Sequence, residues 1–330
     1  MNLRDPLLSG AARHLALPVR PPGSRHVTVL MGVRDGGAFL ESQLASIAAQ
    51  RHDDWSVVVS DDGSRDDSPE TVRRFAAAHP ARSVRLVPGP REGFQANYLR
   101  LLLEIPDHAR YVAFSDQDDI WLPDRLCRGL DALATVDPDC PALYGARTIL
   151  TDAGLTLRGH STRFRRPPSF RNALVQSIAG GNTMLMNRAA ADLLFKAAAR
   201  TDRIVSHDWW AYQLVSGAGG RVIYDDRPTV LYRQHGGNLV GAGAGLRPKL
   251  RRLAALLRGD FRDYTNINLA ALEGVRALLA PENRALVSAF RAARDAPLSQ
   301  RLGMLERTGL YRQTVAGTLA LWGAAVLRRL

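Results

Sequence analysis

Three carboxylates, Asp116, Asp118 and Asp119, fall within four residues in the stretch SDQDDIW (residues 115–121), directly behind the apolar run YVAF (residues 111–114). Like charges this close repel and raise one another's pKa values unless something positive sits among them. Hard divalent cations such as Mg²⁺ and Mn²⁺ take oxygen ligands, and Mg²⁺ commonly binds one or two carboxylates while keeping waters and substrate phosphates. Asp116 and Asp118, with Gln117 between them, suit that role. The same residues also read as a solvated acidic turn before the helix that follows Pro123, because carboxylates favour a helix N-terminus. A calcium EF-hand loop is excluded, since Ile120 and Trp121 stand where that loop needs an oxygen ligand and a glycine.

Four further groupings have side chains that could do chemistry. In VVVSDDGSRDDS (residues 57–68), Asp61 and Asp62 close an apolar run. Carboxylates so placed can accept hydrogen bonds from a ribose or a base, and Asp-Asp-Gly-Ser is also plain turn chemistry. In SHDWW (residues 206–210), Asp208 stands between a histidine and the pair Trp209 and Trp210. A partly dry aromatic setting suits a general base, while the bland alternative is a helix-start carboxylate followed by core tryptophans. In YRQHGGNLVG (residues 232–241), Arg233, His235 and Asn238 gather around two glycines after a strand-like run. Arginine can clamp a diphosphate and histidine can ligate a metal, or the run is a solvated loop. Finally, Gly180, Gly181 and Asn182 permit close backbone approach to a ligand, or simply a turn.

Several chemistries drop out. Residues 241–245 (GAGAG) miss the spacing of a dinucleotide fingerprint and do not follow the first strand, and neither a P-loop nor an HExxH motif occurs. Cys127 and Cys140 are too few for a disulfide scaffold and lack paired zinc-ligand spacing, so both read as reduced core thiols of a cytoplasmic protein. The N-terminal segment mixes charges and prolines into its apolar residues and does not read as a signal peptide. The longest apolar run, VAGTLALWGAAVL (residues 315–327), is short of the ~20 residues that cross a bilayer.

The elements that must position these groups follow from the hydrophobic period. Short apolar runs (VTVLMGV, WSVVVS, VRLVP, YVAFS, ALYGARTIL) alternate with helical stretches, the pattern of an α/β protein whose ligands sit at the carboxyl ends of strands. Both acidic clusters fall on that edge. Residues 158–171, rich in arginine and broken by two prolines, read as a surface loop. IAGGNTMLMN, a helix from Arg188, HDWWAYQLVSGAGG and two strands, RVIYDD and TVLYRQH, complete the alternating part. Beyond GAGAG everything reads helical, with apolar stripes and arginine-rich faces. We expect an N-terminal extension at 1–25, a catalytic domain at 26–241 and a helical region at 242–330.

Taken in order, FLESQLASIAAQ, SDDGSRDDS, GFQANYLRLL, SDQDDIW, GGNTMLMN, HDWW and YRQHGGNLVG resemble a family 2 glycosyltransferase of the GT-A fold, in its bacterial rhamnosyltransferase-like branch. The resemblance implies a Rossmann-like mixed sheet flanked by helices, with a helical C-terminal extension. It implies an inverting, metal-dependent hexosyltransferase moving a sugar, first of all L-rhamnose from dTDP-rhamnose, to a saccharide or lipid-linked acceptor in surface polysaccharide synthesis. By the same resemblance Asp208 is the catalytic base, and Asp35, Asp61, Asp62, Asn97, Asp116, Gln117 and Arg233 hold the nucleotide-sugar. Asp116, Asp118 and His235 hold the divalent cation, and Gly181, Asn182, Trp209 and Trp210 meet the acceptor. Two positions depart from the family: Arg34-Asp35-Gly36 replaces the usual Tyr-Asn-Gly, and Asn182 stands where many relatives carry cysteine.

The charge of the chain is consistent with anionic partners. Its 44 Lys and Arg against 32 Asp and Glu leave a net +12. The last helices, with LRRL at 327–330 and RPKLRRL at 247–253, suggest peripheral contact with an anionic inner-leaflet surface, or a helical pair packed on the domain or on a second copy. A nucleic-acid module is disfavoured because the arginines are scattered and only residues 163–171 interleave basic and aromatic side chains. A catalytically inactive nucleotide-sugar binder remains the alternative within the same fold.

Overall fold

The computed structural model describes residues 25–236 and 260–330. Asn238, the GAGAG and RPKLRRL stretches, most of the N-terminal extension and the expected boundary at 241/242 lie outside the described residues.

The first half alternates β1 (Val27–Val33), α1 (Leu40–Ala48), β2 (Trp55–Asp61), α2 (Ser68–Ala78), β3 (Val84–Pro88), α3 (Phe94–Leu102) and β4 (Tyr111–Ser115). Then come β5 (Ile120–Trp121), α4 (Arg125–Leu133), β6 (Ala142–Asp152), β7 (Leu157–His160), α5 (Phe170–Ala173), a 3₁₀ turn (Gly181–Thr183) and β8 (Leu185–Asn187). After α6 (Arg188–Ala198), α7 (His207–Gly217) and β9 (Arg221–Gln234) follow, among the described residues, four C-terminal α-helices. These are α8 (Asp260–Gly274), α9 (Pro281–Asp295), α10 (Leu298–Thr308) and α11 (Val315–Val326).

The strands form one mixed sheet in the order β3-β2-β1-β4-β8-β6-β9-β5, with β7 paired to β6. β1 to β4 run parallel, whereas β8 runs antiparallel to both β4 and β6. β1 is rich in β-branched residues and covered on both faces, so Val27, Val29, Leu30 and Met31 are fully buried. Each contributes roughly 1.5–3 kcal/mol by leaving water, and a charge at Val29 would break the strand's packing. One apolar cluster joins Leu40, Leu44, Val72, Leu126 and Leu130 of α1, α2 and α4 to one face of the sheet. The other face packs against α3, α6 and α7, and Leu272, Phe290, Leu305 and Leu321 of the C-terminal helices enter that same core.

Three expectations are corrected. RVIYDD and TVLYRQH are a single strand, because β6 pairs with residues 221–234 throughout and absorbs the Asp225–Pro228 interruption as register shifts around Arg147. Pro228 sits at the shift, where a missing N–H costs no regular ladder bond. The basic segment starts as a strand: Asp152 Oδ1 accepts from the amides of Gly154 and Thr156, and this turn folds Leu157–His160 back onto β6. Cys127 and Cys140 are free thiols, half-buried and not in the core, since α4 turns Cys127 away from its inward stripe of Leu126, Leu130 and Leu133. Among the described residues, no helix is long and apolar enough to cross a membrane.

Candidate active site

β1, β2 and β4 end side by side, with Val33 opposite Asp61 and Met31 opposite Ser115. The turns that follow, at 34–37, 62–64 and 116–119, therefore share one rim. Asp35 turns there with φ of 48°, a left-handed conformation that aspartate tolerates better than most residues. Its Oδ1 accepts from the Arg65 amide at 2.7 Å, while its own amide donates to Ser64 Oγ at 2.9 Å. Gln117 bridges the rim with a reciprocal pair, accepting from the Arg34 amide at 2.8 Å and donating to the Arg34 carbonyl at 3.0 Å.

The two aspartates that close β2 have different surroundings. Asp61 is half-buried and accepts from the Ser64 amide and hydroxyl within its own turn. Asp62 is buried, and its two oxygens accept from the amides of Arg91 at 2.6 Å and Gly93 at 2.9 Å, fixing the entry to α3. Asn97 is likewise buried, donating to the Ser60 carbonyl and accepting from Ser60 Oγ. Asp62 and Asn97 thus hold the floor of the rim, while Asp61, Asp35 and Gln117 stand at its open side.

The three carboxylates of SDQDDIW also take different roles. Asp116 accepts from Tyr98 Oη at 3.1 Å; burial, with Asp118 and Asp208 nearby, raises its pKa to about 7. Asp118 accepts from or pairs with His235 Nε2 at 2.8 Å, and the His235 ring rests on Phe39 with centroids 4.8 Å apart. Asp119 is fully buried; burial and the neighbouring charges of Asp116 and Asp118 push its pKa well up. It accepts from Asn182 Nδ2 at 2.5 Å and from the Arg233 amide at 3.1 Å, so it anchors two distant segments to the acidic loop.

Arg233 lies beneath this loop. It is buried over the Phe39 ring, and its guanidinium donates to the carbonyls of Asp118 at 2.8 Å and Ala153 at 2.5 Å. Those bonds position Asp118. The oxygens of Asp116 and Asp118, with the His235 imidazole beside them, fit a hard divalent cation in type. Among the described residues, no group of three or more His, Cys, Asp or Glu side chains encloses a metal. Phosphate oxygens and waters would therefore supply most of the coordination, as Mg²⁺ usually requires.

α7 carries Asp208 in its first turn, near enough to Asp116 for its charge to act on that carboxyl. His207 is buried, lying against Tyr98 with centroids 3.5 Å apart and planes 10° from parallel, and edge-on to Phe114 at 4.8 Å. Neither ring nitrogen has a hydrogen-bond partner, and burial lowers the His207 pKa to about 4, so the ring stays neutral. A Cβ at Gly181 would collide with His207 Nε2, which is the physical reason for glycine there. Asn182 is buried and turned to Asp119.

Trp209 and Trp210, expected at the acceptor, lie in the core. Trp209 Nε1 donates to the Ala173 carbonyl at 2.6 Å, and Trp210 is fully buried. The cause is α7 itself: the helix is enclosed nearly all round, so both indoles face protein.

Sequence reasoning missed Tyr98, Asp119, His207 and Arg125. The buried Arg125 lies over Trp121 at 3.5 Å and donates to the carbonyls of Phe114, Asn182 and Met184, joining β4, the 3₁₀ turn and β8 under the site. Asp119 carried a signal, being one of three crowded carboxylates. A lone arginine at a helix start carried none.

Comparison with known proteins locates the arrangement. The family model described as glycosyl transferase family 2 matches residues 28–194. The dTDP-rhamnosyl transferase RfbG of Shigella flexneri is 28% identical over 246 residues, 70% of this chain and 81% of that protein. The succinoglycan biosynthesis protein ExoW of Rhizobium meliloti (strain 1021) is 31% identical over 102 residues, 31% of this chain and 32% of that one. In three dimensions, S. aureus TarS 1-349 in complex with UDP-GlcNAc matches with a TM-score of 0.56 at 14% identity, covering 92% of this chain and 89% of that one. At that identity the likeness is one of fold.

Proposed function

The chain belongs to glycosyl transferase family 2, in its rhamnosyltransferase-like branch with the GT-A fold, and from this we propose an inverting transfer of a sugar from a nucleotide-sugar donor. The first choice of donor is dTDP-rhamnose, because the relative that spans most of the chain is named a dTDP-rhamnosyl transferase. The acceptor in this reading is a saccharide or lipid-linked saccharide of bacterial surface polysaccharide synthesis, reached from the cytoplasmic face of the cell membrane.

The observation that carries the reading is the approach of α7 to the acidic loop: Tyr98 stacks on His207, the neighbour of Asp208, with centroids 3.5 Å apart, and its hydroxyl donates to Asp116 at 3.1 Å. Asp208 accepts the proton of an acceptor hydroxyl as that oxygen forms its bond to the anomeric carbon. The bond from that carbon to the diphosphate oxygen breaks with its electron pair, so the nucleoside diphosphate leaves from the opposite face and configuration inverts. General-base help of this kind is worth ~10²–10⁴-fold.

Asp116 and Asp118, with His235, would hold a divalent cation, Mg²⁺ or Mn²⁺, which when bound supplies positive charge to the departing diphosphate. In this reading Asp35, Asp61 and Gln117 meet the nucleoside, whereas Asp62, Asn97 and Arg233, expected to hold the nucleotide-sugar directly, are engaged with backbone and keep their loops in position. Gly181 and Asn182 border the acceptor side through backbone. Turnover assays with dTDP-rhamnose, UDP-sugars and GDP-sugars, each with and without Mn²⁺, test the reading. Release of nucleoside diphosphate from at least one donor is expected, and none from any donor would reject it.

A further inference from the structure

We propose that the outward face of α11 lies on an anionic lipid bilayer, and that the arginine-lined cavity at its carboxyl end takes lipid phosphate groups. This deepens the membrane side of the proposed function and stands apart from the sugar-transfer chemistry.

From Val315 to Leu327 the chain carries no charged residue. Val315, Leu319 and Val326 share one side of the helix by their spacing of four and seven, and are 79%, 66% and 47% exposed, with Leu327 beyond them at 53%. Leu321, Ala324 and Ala325 on the opposite side are buried in the core, so the helix is fixed with its apolar outer face to solvent. Such a face on a helix of 12 residues, about 18 Å long, suits lying in a membrane interface and not crossing it.

The charges complement an anionic surface. Arg312 precedes the helix, and Arg328 and Arg329 follow it; residues 298–330 hold five arginines against the single carboxylate Glu306. At the helix's carboxyl end a polar cavity of about 230 Å³ is lined by Arg262, Asn266, Arg294, Asp295, Arg301 and Arg328. Arg301 donates to the Ala325 carbonyl at 2.8 Å, tying the floor of the cavity to α11. Arg294 and Arg301 are held by the Leu330, Ala296 and Ala325 carbonyls, so they add charge to the cavity while Arg262 and Arg328 are left to meet an anion of phosphate type.

Two other occupants fit less well. A second copy laid on this face in either direction would set arginines against arginines, because both ends of the helix are basic. The segment 237–259 of this chain is itself basic, with Arg247, Lys249, Arg251, Arg252 and Arg258.

The test is co-sedimentation of the full chain with vesicles of phosphatidylcholine alone or mixed with phosphatidylglycerol, alongside gel filtration and donor turnover in solution. Binding to the anionic vesicles only is expected, lowered about tenfold or more by Leu319→Glu or Arg328→Glu, with turnover of the soluble donor unchanged. The proposal is overturned by binding that ignores lipid charge, or by both variants binding like the parent. It is also overturned if Leu319→Glu converts a dimer to a monomer, which assigns the face to a second copy. Loss confined to Arg251→Glu with Arg252→Glu assigns the contact to 237–259 instead. Loss of donor turnover in the parent protein concerns the transfer reaction and leaves the vesicle result readable by itself.

Discussion

Tyr98 lies flat on His207, ring centroids 3.5 Å apart, while its hydroxyl touches Asp116 and His207 directly precedes Asp208. One aromatic stack thus connects the acidic loop after β4 to the helix that carries the proposed base. The link forces a neutral His207, because no partner satisfies either ring nitrogen. Burial depresses its folded pKa to about 4, below the ordinary ~6.5. Its contribution to stability is therefore complete above pH ~6.5 and is lost as pH falls towards 4, by about 3 kcal/mol in all. Urea unfolding at pH 7.5 and 4.5 should show this slope, and His207→Phe should flatten it; equal slopes in both proteins would remove the burial argument.

Asp208→Asn keeps the shape and hydrogen-bonding reach of the side chain while removing the proton acceptor. Turnover is expected to fall ~10²–10⁴-fold with donor affinity nearly unchanged. Stopped product assays with calorimetric donor titration check it, and a matching loss of donor affinity would move Asp208 from base to donor contact.

Asp116 has the opposite titration from His207. Its folded pKa of about 7 lies above the unfolded ~3.9, so the stability it confers is present below pH ~4 and is lost as pH rises through 7. Without divalent cation, Asp116→Asn should abolish this decline, making the variant the more stable protein at pH 8 by on the order of a few kcal/mol. With millimolar Mn²⁺ the order should narrow or reverse, because a bound cation stabilises only the carboxylate form. Thermal melts in chelator and in Mn²⁺ at pH 5 and 8 measure both effects, and a variant that gains stability from Mn²⁺ as the parent does would place the cation elsewhere.

How much of this was legible in sequence depended on whether local pattern or distant partners decided the outcome. The strands before the rim were readable because β-branched runs buried on both faces look alike in any parallel sheet. Asp116 and Asp118 drew attention because crowded charge at a strand end demands an explanation, and Asp208 because a single carboxylate stood among aromatic neighbours at a helix start. The orientation of Trp209 and Trp210 was not, since a helix buried all round has no polar stripe to show which side faces solvent. Asp119 could not be told from its neighbours either: its burial depends on Asn182 and Arg233, 63 and 114 residues away. The union of RVIYDD and TVLYRQH depended on β6, whose pairing overrode the break that Asp-Arg-Pro signals locally.

Arg125 is the strongest structural dependency of the site that involves no proposed ligand. Its guanidinium is fully enclosed, and burial lowers its pKa to about 9, with Tyr144 and Asp119 nearby opposing that fall. It remains a cation at neutral pH, held by the Trp121 face and by carbonyls of three segments that converge under the acidic loop. Arg125→Met preserves volume but removes the donors to the Phe114 and Asn182 carbonyls, while the Met184 carbonyl keeps the Phe114 amide. The expected loss is about 1–3 kcal/mol for each buried acceptor that loses its donor. Arg125→Lys should recover little of it, because an ammonium cannot span the fork that reaches Phe114, Asn182 and Met184 together. Denaturant unfolding at pH 7.5 measures the loss. A lysine variant as stable as the parent would show that charge alone, and not the planar fork, holds the 3₁₀ turn and β8 against β4.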